Sequence, residues 1–391
     1  FATISAGNGD TLNFTGSYSG RYSSITLGDN ASLSFNQSNS WSQSTITTGN
    51  NDTLNFSVAA SSNFVINTSA NSDYLNFAYA SLLATDTITG SGQDTLTILN
   101  ADTINDSVFA YDSFSGGAAL SLTSGSSAYL GSLAAAAGIT SLYAGVNDTI
   151  TLNAYTQSVA VHGAGGGLLD VAVNYPTITD SLFAGDTGIS TLSIANSGAE
   201  FQVTAGANAQ AAGIHYFTAG SSYSDVQHLA FGTLSAAGYT DPVTIDFGQK
   251  SGWFESLQGG SGADSIVAGG SSAWDTLQGF VTSTANSSND TLTGGDNTCA
   301  DLFVLGDADG NAYGNGLGGV AYINNFNSYG KLALHYENDY TFQSGSFGAS
   351  GAYNTELLAG SNVVAFIDDQ SHGLASSSSM SHVNLIGSPP A

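Results

Sequence analysis

Leu12, Leu33, Leu54, Leu75 and Leu96 recur every 21 residues without a slip, and two residues after each stands Phe14, Phe35, Phe56, Phe77 or Ile98. Eight residues before the leucines come Ile4, Ile25, Ile46 and Ile88; Asn67 is the one exception, with Ile66 beside it. The intervening turn carries Gly7, Gly28 and Gly49, then Asp10, Asp52, Asp73 and Asp94 in constant phase, with Ala31 replacing the aspartate once. Leu-x-Phe is a period-two pattern that sends both apolar side chains to one face of a strand. A unit of this length cannot bury that face alone. Stacked on its neighbours, it lays Leu on Leu and Phe on Phe in a continuous core. The repeat therefore predicts an all-β chain, a parallel β-solenoid of about 21 residues per coil, with coils about 4.8 Å apart.

Such a fold grows in one direction, so 391 residues need no division into ordinary globular domains. Glycine is abundant at 49 residues, but 41% of the chain is apolar and 20 Phe with 18 Tyr can fill a core, which separates it from disordered low-complexity sequence. The only basic residues are Arg21, Lys250 and Lys331, and the formal charge is −27. Nothing here neutralises phosphates, which excludes nucleic acid and anionic membrane surfaces as partners and makes cations the natural ones. No window of 18 apolar residues occurs, so membrane insertion is not expected. Cys299 is alone, forms no internal disulfide and reads as a small buried residue.

Along the chain, residues 1–250 read as one solenoid with an irregular insertion at about 101–141, in which Leu133–Gly138 is a candidate short helix. The phase resumes at Asp148-Thr-Ile150-Thr-Leu152; Ile150, Val171 and Leu192 are again 21 apart, as are Leu152, Val173 and Ile194. Apolar strand ends run into glycine at Leu142-Tyr-Ala-Gly145, Leu182-Phe-Ala-Gly185 and Phe217-Thr-Ala-Gly220. Residues 251–305 change pattern, 306–373 read as a β-rich carboxy-terminal cap, and 374–391 read as a flexible tail.

The changed pattern begins with Gly259-Gly260-Ser-Gly262-Ala-Asp264-Ser-Ile-Val267, which fits G-G-x-G-x-D-x-U-x at every defined position. In that pattern the glycines turn where a side chain would not fit and expose carbonyls, the aspartate supplies a hard oxygen suited to Ca²⁺, and the apolar residue re-enters the core. Looser versions follow around Asp275, Asp290, Asp296 and Asp301, with insertions or lost glycines. Asp307-Ala-Asp309-Gly-Asn311 begins like an EF-hand loop but has Ala312 at position six and Gly318 at position twelve, so it reads as either a cap-stabilising Ca²⁺ loop or a plain polar turn.

On these motifs, and on Asp301-Leu-Phe-Val-Leu-Gly-Asp307 and Ala321-Tyr-Ile-Asn-Asn-Phe326 after them, residues 251–370 resemble the RTX (repeat-in-toxin) calcium-binding proteins, in the form with a carboxy-terminal cap found in many cyanobacterial secreted proteins. The resemblance implies an RTX-like β-roll, one to three bound Ca²⁺ ions, folding outside the cell, and type I secretion through an uncleaved carboxy-terminal signal, consistent with a chain that shows no amino-terminal signal pattern. The amino-terminal part is similar to β-solenoids of bacterial surface-layer or filament proteins.

The amino-terminal aspartates allow two readings. Stacked coils would place like charges about 5 Å apart, repelling by about 1 kcal/mol in water and about 3–4 kcal/mol at an effective dielectric near 20. Either Ca²⁺ bridges the turns, with Asp94 in Gly90-Ser-Gly-Gln-Asp94 the best candidate, or each carboxylate accepts bonds from its own turn's backbone N–H groups.

Catalytic patterns are missing: the histidines hold no zinc-ligand spacing, no G-x-S-x-G elbow occurs, and no glutamates pair recognisably. The expectation is a secreted, non-enzymatic structural protein that assembles with copies of itself into a filament or surface layer, with an adhesin-type glycan-binding or ice-binding solenoid as the alternative and a polysaccharide-processing enzyme as the least favoured. Tyr18, Tyr22, Trp41, Trp253 and Trp274 lie outside the core phase and serve loop packing, sugar contact or subunit contact.

Overall fold

The computed structural model describes residues 2–15, 23–36, 42–57, 63–153, 159–172, 177–195, 201–219, 232–248, 255–269, 275–282, 287–295, 300–314, 319–336, 339–349, 351–370, 374 and 379–386. Strands account for 52% of the chain and helix for 9%, and parallel stacked strands form a β-solenoid with a coil spacing of about 22 residues. Two compact units can be separated: Phe1–Ala172 with Phe183–Ser190, and Val173–Leu182 with Thr191–Ala391.

In the first unit the repeat phase becomes strand register. Leu12 pairs with Leu33, Leu33 with Leu54, Leu54 with Leu75, and Leu75 with Leu96. Leu33, Leu54, Leu75 and Leu96 are completely buried. The phenylalanines stack nearly parallel, at 5.1 Å for Phe14–Phe35, 5.5 Å for Phe35–Phe56 and 4.9 Å for Phe56–Phe77, the offset range in which ring pairs add to simple burial. A second ladder carries the isoleucines, with Ile4, Ile25, Ile46, Ile66 and Ile88 in successive register. The Asn67 exception is thus a shift of one residue, absorbed by an irregularity between Ser42 and Thr45.

The 101–141 stretch, expected as an irregular insertion, belongs to the stack. Leu120 pairs with Leu96 and Leu122 with Ile98, and Leu142 then pairs with Leu120. The 21-residue spacing is lost because these coils lengthen to hold a 3-10 turn, Asp106–Phe109, and a helix, Ser132–Ala137, one residue from the predicted span. Six residues cannot hold a helix alone. Here Asp106 reaches from an earlier coil and accepts the N–H groups of Gly131, Leu133 and Ala134 at 2.7, 3.0 and 2.8 Å, while Gly138 at φ 88° closes the other end.

The expected 21-residue equivalence of Ile150 and Val171 is corrected to 19: Ile150 pairs with Leu169, and Leu152 with Val171. A two-residue slip keeps every side chain on its original face, so the pattern of apolar residues does not distinguish the registers.

In the second unit one ladder aligns Phe217, Ile245, Ile266, Leu292, Ile323 and Ile367. Another aligns Val203, Leu234, Leu257, Leu277, Phe303, Leu332 and Val383. The glycine-rich segment Gly259–Val267 therefore continues the coils before it. The cap is an antiparallel meander, Tyr340–Phe347, Tyr353–Ala359 and Asn362–Asp369, whose last strand pairs in parallel with Ala321–Phe326. The stretch expected as a flexible tail contributes a strand, Val383–Ile386, because Val383 and Leu385 find apolar partners in Leu332 and Leu334.

Candidate calcium site and the aspartate ladder

The turn aspartates point inward. Asp52, Asp73, Asp94, Asp148, Asp264, Asp275, Asp290 and Asp301 are at most 2% exposed. A charged group so placed must be hydrogen-bonded or neutral, and the turns supply the bonds. Asp52 Oδ1 accepts the Ala31 N–H and its Oδ2 the Gly49 N–H, each at 2.7 Å. Asp73 Oδ1 accepts the Asp52 N–H at 2.7 Å, and its Oδ2 accepts from Thr48 Oγ1 at 2.6 Å and Ser69 N–H at 3.1 Å. Asp94 Oδ1 accepts the Asp73 N–H at 3.0 Å and its Oδ2 the Thr68 hydroxyl at 2.5 Å. One oxygen reaches back to the equivalent position one coil earlier; the other serves the aspartate's own turn, a neighbouring hydroxyl, or both.

The residues of the nonapeptide region follow the same rule. Asp264 Oδ1 accepts the Val243 N–H at 2.9 Å and its Oδ2 the Gly260 N–H at 2.6 Å. Asp290 Oδ1 accepts the Asp264 N–H at 2.8 Å, and its Oδ2 accepts the Tyr313 hydroxyl at 2.6 Å. Asp301 accepts the Asp275 N–H at 3.4 Å and the Gly295 N–H at 2.9 Å. Asp296, like Cys299, lies outside the described residues. Asp307 and Asp309 form a polar hairpin turn, with the Asp309 N–H donating to Asp307 Oδ1 at 2.8 Å. Asn311 Oδ1 accepts from the Tyr340 hydroxyl at 2.6 Å.

The glycines Gly259, Gly260 and Gly262 do not need the left-handed conformations, since none has positive φ. They are needed for close approach. A Cβ on Gly260 would stand 2.5 Å from the Tyr239 carbonyl oxygen, and one on Gly262 would stand 2.6 Å from backbone atoms of Asp241 and Pro242. A Cβ on Gly259 would fall 2.1 Å from Asp264 Oδ2. The pattern is satisfied by coil-to-coil packing and by one carboxylate.

Calcium requires six to eight converging oxygens. Among the described residues no three metal-ligating side chains converge, and the oxygens of Asp52, Asp73, Asp94, Asp264, Asp290 and Asp301 already face N–H and O–H donors, whose positive hydrogens would oppose a cation in the same place.

Burial instead favours the protonated acids. It raises Asp264 and Asp301 to about 6, against the backbone bonds that favour the charge. Asp52 and Asp94 are raised for the same reason, with the charge of Asp73 adding in each case.

A further set of aspartates escaped the sequence reading. Asp86 accepts the Phe64 N–H at 3.0 Å, Asp112 the Ile88 N–H at 2.9 Å and Asp186 the Val161 N–H at 2.6 Å. Burial, with the Asp86 charge adding, raises Asp112 to about 7, and burial raises Asp186 to about 6. The signal was present as a duplicated heptapeptide, Asp106-Ser-Val-Phe-Ala-Tyr-Asp112 and Asp180-Ser-Leu-Phe-Ala-Gly-Asp186. Its first aspartate caps a short alanine-rich helix in both copies: Asp180 accepts the N–H groups of Gly206, Asn208 and Ala209, as Asp106 does for its own helix. Its last aspartate serves the backbone of an earlier strand.

No family model, no curated protein and no solved structure gives a significant match to this chain.

Proposed function

We propose that this is an extracellular structural protein, a β-solenoid subunit that joins other copies end to end into a filament or surface layer. The observation that carries the reading is the repeated register: coils stack in parallel with Leu on Leu and Phe on Phe, so that a further coil of the same phase can extend the stack. Among the described residues, strands Thr3–Ser5 and Thr11–Phe14 pair only with Ser24–Thr26 and Ser32–Phe35. Ile4, Leu12 and Phe14 remain partly exposed, whereas Ile25 and Leu33 are fully buried and Phe35 is 3% exposed. A coil in the same phase, supplied by a second copy, would cover this apolar edge and pair its backbone. A head-to-tail contact that does not close into a ring propagates as a filament.

The charge of −27 opposes such an approach. In this reading divalent cations act as counter-ions at exposed carboxylates such as Asp10, Asp241 and Asp309 and leave the buried ladder alone. Catalysis has no part in it. Electron microscopy and light scattering of the purified chain, with calcium and with a chelator, test assembly. Assemblies are expected with the divalent ion, and Leu12→Asp, which puts a charge on the open edge, should disperse them without lowering the melting temperature of the subunit. Monodisperse subunits at every concentration and ion condition overturn the reading.

A further inference from the structure

A polar cleft opens on the outward face of the first unit, where the repeat's small polar residues give way to two tyrosines. The outward column of the Leu-x-Phe ladder runs through Thr53, Tyr74, Thr95, Ala119 and Ser141 in register. The adjacent column runs Asn76, Thr97, Ser121, Tyr143 and His162. Tyr74 and Tyr143 thus rise at opposite ends of a low saddle of Thr95, Ala119 and Ser141, three coils apart along the stack, or about 14 Å at the strand spacing. The cleft encloses about 360 Å³ and is also lined by Ser72, Gln93 and Thr140, within the roughly 300–1,000 Å³ usual for small-molecule sites.

Its walls are aromatic, and one of them is held in place. Each tyrosine is 48% exposed, far more than its packing requires. Tyr143 stacks on His162 with ring centroids 4.9 Å apart and planes 25° apart, and the His162 ring is fixed in turn by Thr187 Oγ1 at 3.3 Å. The floor offers hydroxyls and an amide that both donate and accept. Asp94, which also borders the cleft, has its oxygens committed to Asp73 N–H and the Thr68 hydroxyl. No described lining residue is basic.

We infer that this cleft is a binding site for a neutral oligosaccharide, with sugar-ring faces against Tyr74 and Tyr143 and ring hydroxyls bonded to the serines, threonines and Gln93 between them. Flat aromatic faces with polar tips suit a ligand that is apolar on its ring faces and polar around its rim. The absence of basic residues from the described lining, and the charge of the whole chain, disfavour uronates, sulfated sugars and phosphates. The spacing of the tyrosines selects a short chain over a single ring. This site is independent of end-to-end assembly and would remain if that reading failed.

The test is a glycan array of neutral and acidic oligosaccharides probed with the full chain, followed by calorimetry on the neutral ligands that bind. Tyr143→Ala and Tyr74→Ala are each expected to weaken binding at least tenfold, and Ala119→Gln, which fills the saddle without touching an aromatic ring, to weaken it comparably. Asn13→Ala, on the same outward face but outside the cleft, should leave it unchanged. Melting curves verify that each variant is folded. Failure of every neutral oligosaccharide to bind, equal binding of acidic ones, or an affinity indifferent to both Tyr74→Ala and Ala119→Gln in folded protein overturns the assignment.

Discussion

In the first unit the ladder steps from Asp52 to Asp73 to Asp94 at intervals of 21 residues, and threonine hydroxyls from the preceding coil close over the second oxygens of Asp73 and Asp94. In the second unit Asp264 steps to Asp290 and Asp275 to Asp301 at intervals of 26 residues, and Tyr313, completely buried, takes the place of threonine over Asp290. Only the second region carries the G-G-x-G-x-D pattern, yet in both one carboxylate oxygen accepts from the coil behind and the other from its own turn or a hydroxyl. Close approach of backbones is common to both regions: Gly260 and Gly262 mark where a coil sits directly on Tyr239 and on Asp241-Pro242, as Gly49 does on Gly28 and Gly92 on Asn71. In the nonapeptide a coil packs closely around a ladder aspartate, and the first unit builds its ladder without that motif.

The largest expected effect concerns the protons of both regions. Asp112 is raised to about 7 and Asp186, Asp264 and Asp301 to about 6, from an ordinary value of 3.8. A folded-state pKa above the unfolded one means the native chain binds protons more tightly. The stabilisation is complete below about pH 4 and is lost as pH rises through 6 and 7. Every tenfold gain in proton affinity on folding corresponds to about 1.4 kcal/mol. Urea midpoints should therefore fall steeply between pH 4.5 and pH 8, with one step set by Asp112 in the first unit and another by Asp264 and Asp301 in the second. A flat or rising profile would break the equivalence of the two ladders. So would a calcium-specific recovery at pH 8 that magnesium does not match, because that requires oxygens which converge on an ion.

Much of this was legible in the sequence. Leu12 to Leu96 predicted both the stack and its register, since an apolar period of 21 with Leu-x-Phe inside it has few other ways to be buried. Coils that change length kept the fold but hid the register: Leu96 to Leu120 spans 24 residues and Leu152 to Val171 spans 19, and a repeat search at one spacing sees neither. The role of the aspartates was legible only as two alternatives. A carboxylate that reaches back to the preceding coil and one that ligates an ion carry the same residue at the same turn position. What separates them is the direction of the side chain, which follows from the backbone of two coils at once. Asp106 and Asp180 were missed for a related reason: a cap normally lies just before its helix, but these act on helices that begin 26 and 27 residues later.

Removing a whole carboxylate gives the next effect in size and compares the regions directly. Asp264→Ala leaves the Val243 and Gly260 N–H groups without acceptors, and Asp73→Ala does the same to Asp52 and Ser69. Each orphaned buried donor costs about 1–3 kcal/mol, so each variant should lose about 2–5 kcal/mol at pH 5, with asparagine at either position recovering part of it. The measurement is the urea midpoint in chelator. If Asp264→Ala is silent without calcium and costly with it, while Asp73→Ala is costly in both, the nonapeptide aspartate is an ion ligand and the common ladder is wrong.

The smallest effect isolates the one feature in which the ladders differ chemically. Thr68→Val removes the hydroxyl over Asp94 at a part-buried site and keeps the shape of the side chain. Tyr313→Phe removes the hydroxyl over Asp290 at a fully buried one. Both hydroxyls are donors to a carboxylate, and such bonds contribute about 1.5–3 kcal/mol where solvent cannot replace them and less where it can. Thr68→Val should therefore cost about 1 kcal/mol and Tyr313→Phe about twice that. Because the Thr68 hydroxyl lowers the pKa of Asp94, its loss should also move the carboxyl carbon titration of Asp94 to higher pH. A titration that stays in place would show that the threonine packs beside the carboxylate without donating to it, and that the first ladder is held by backbone bonds alone.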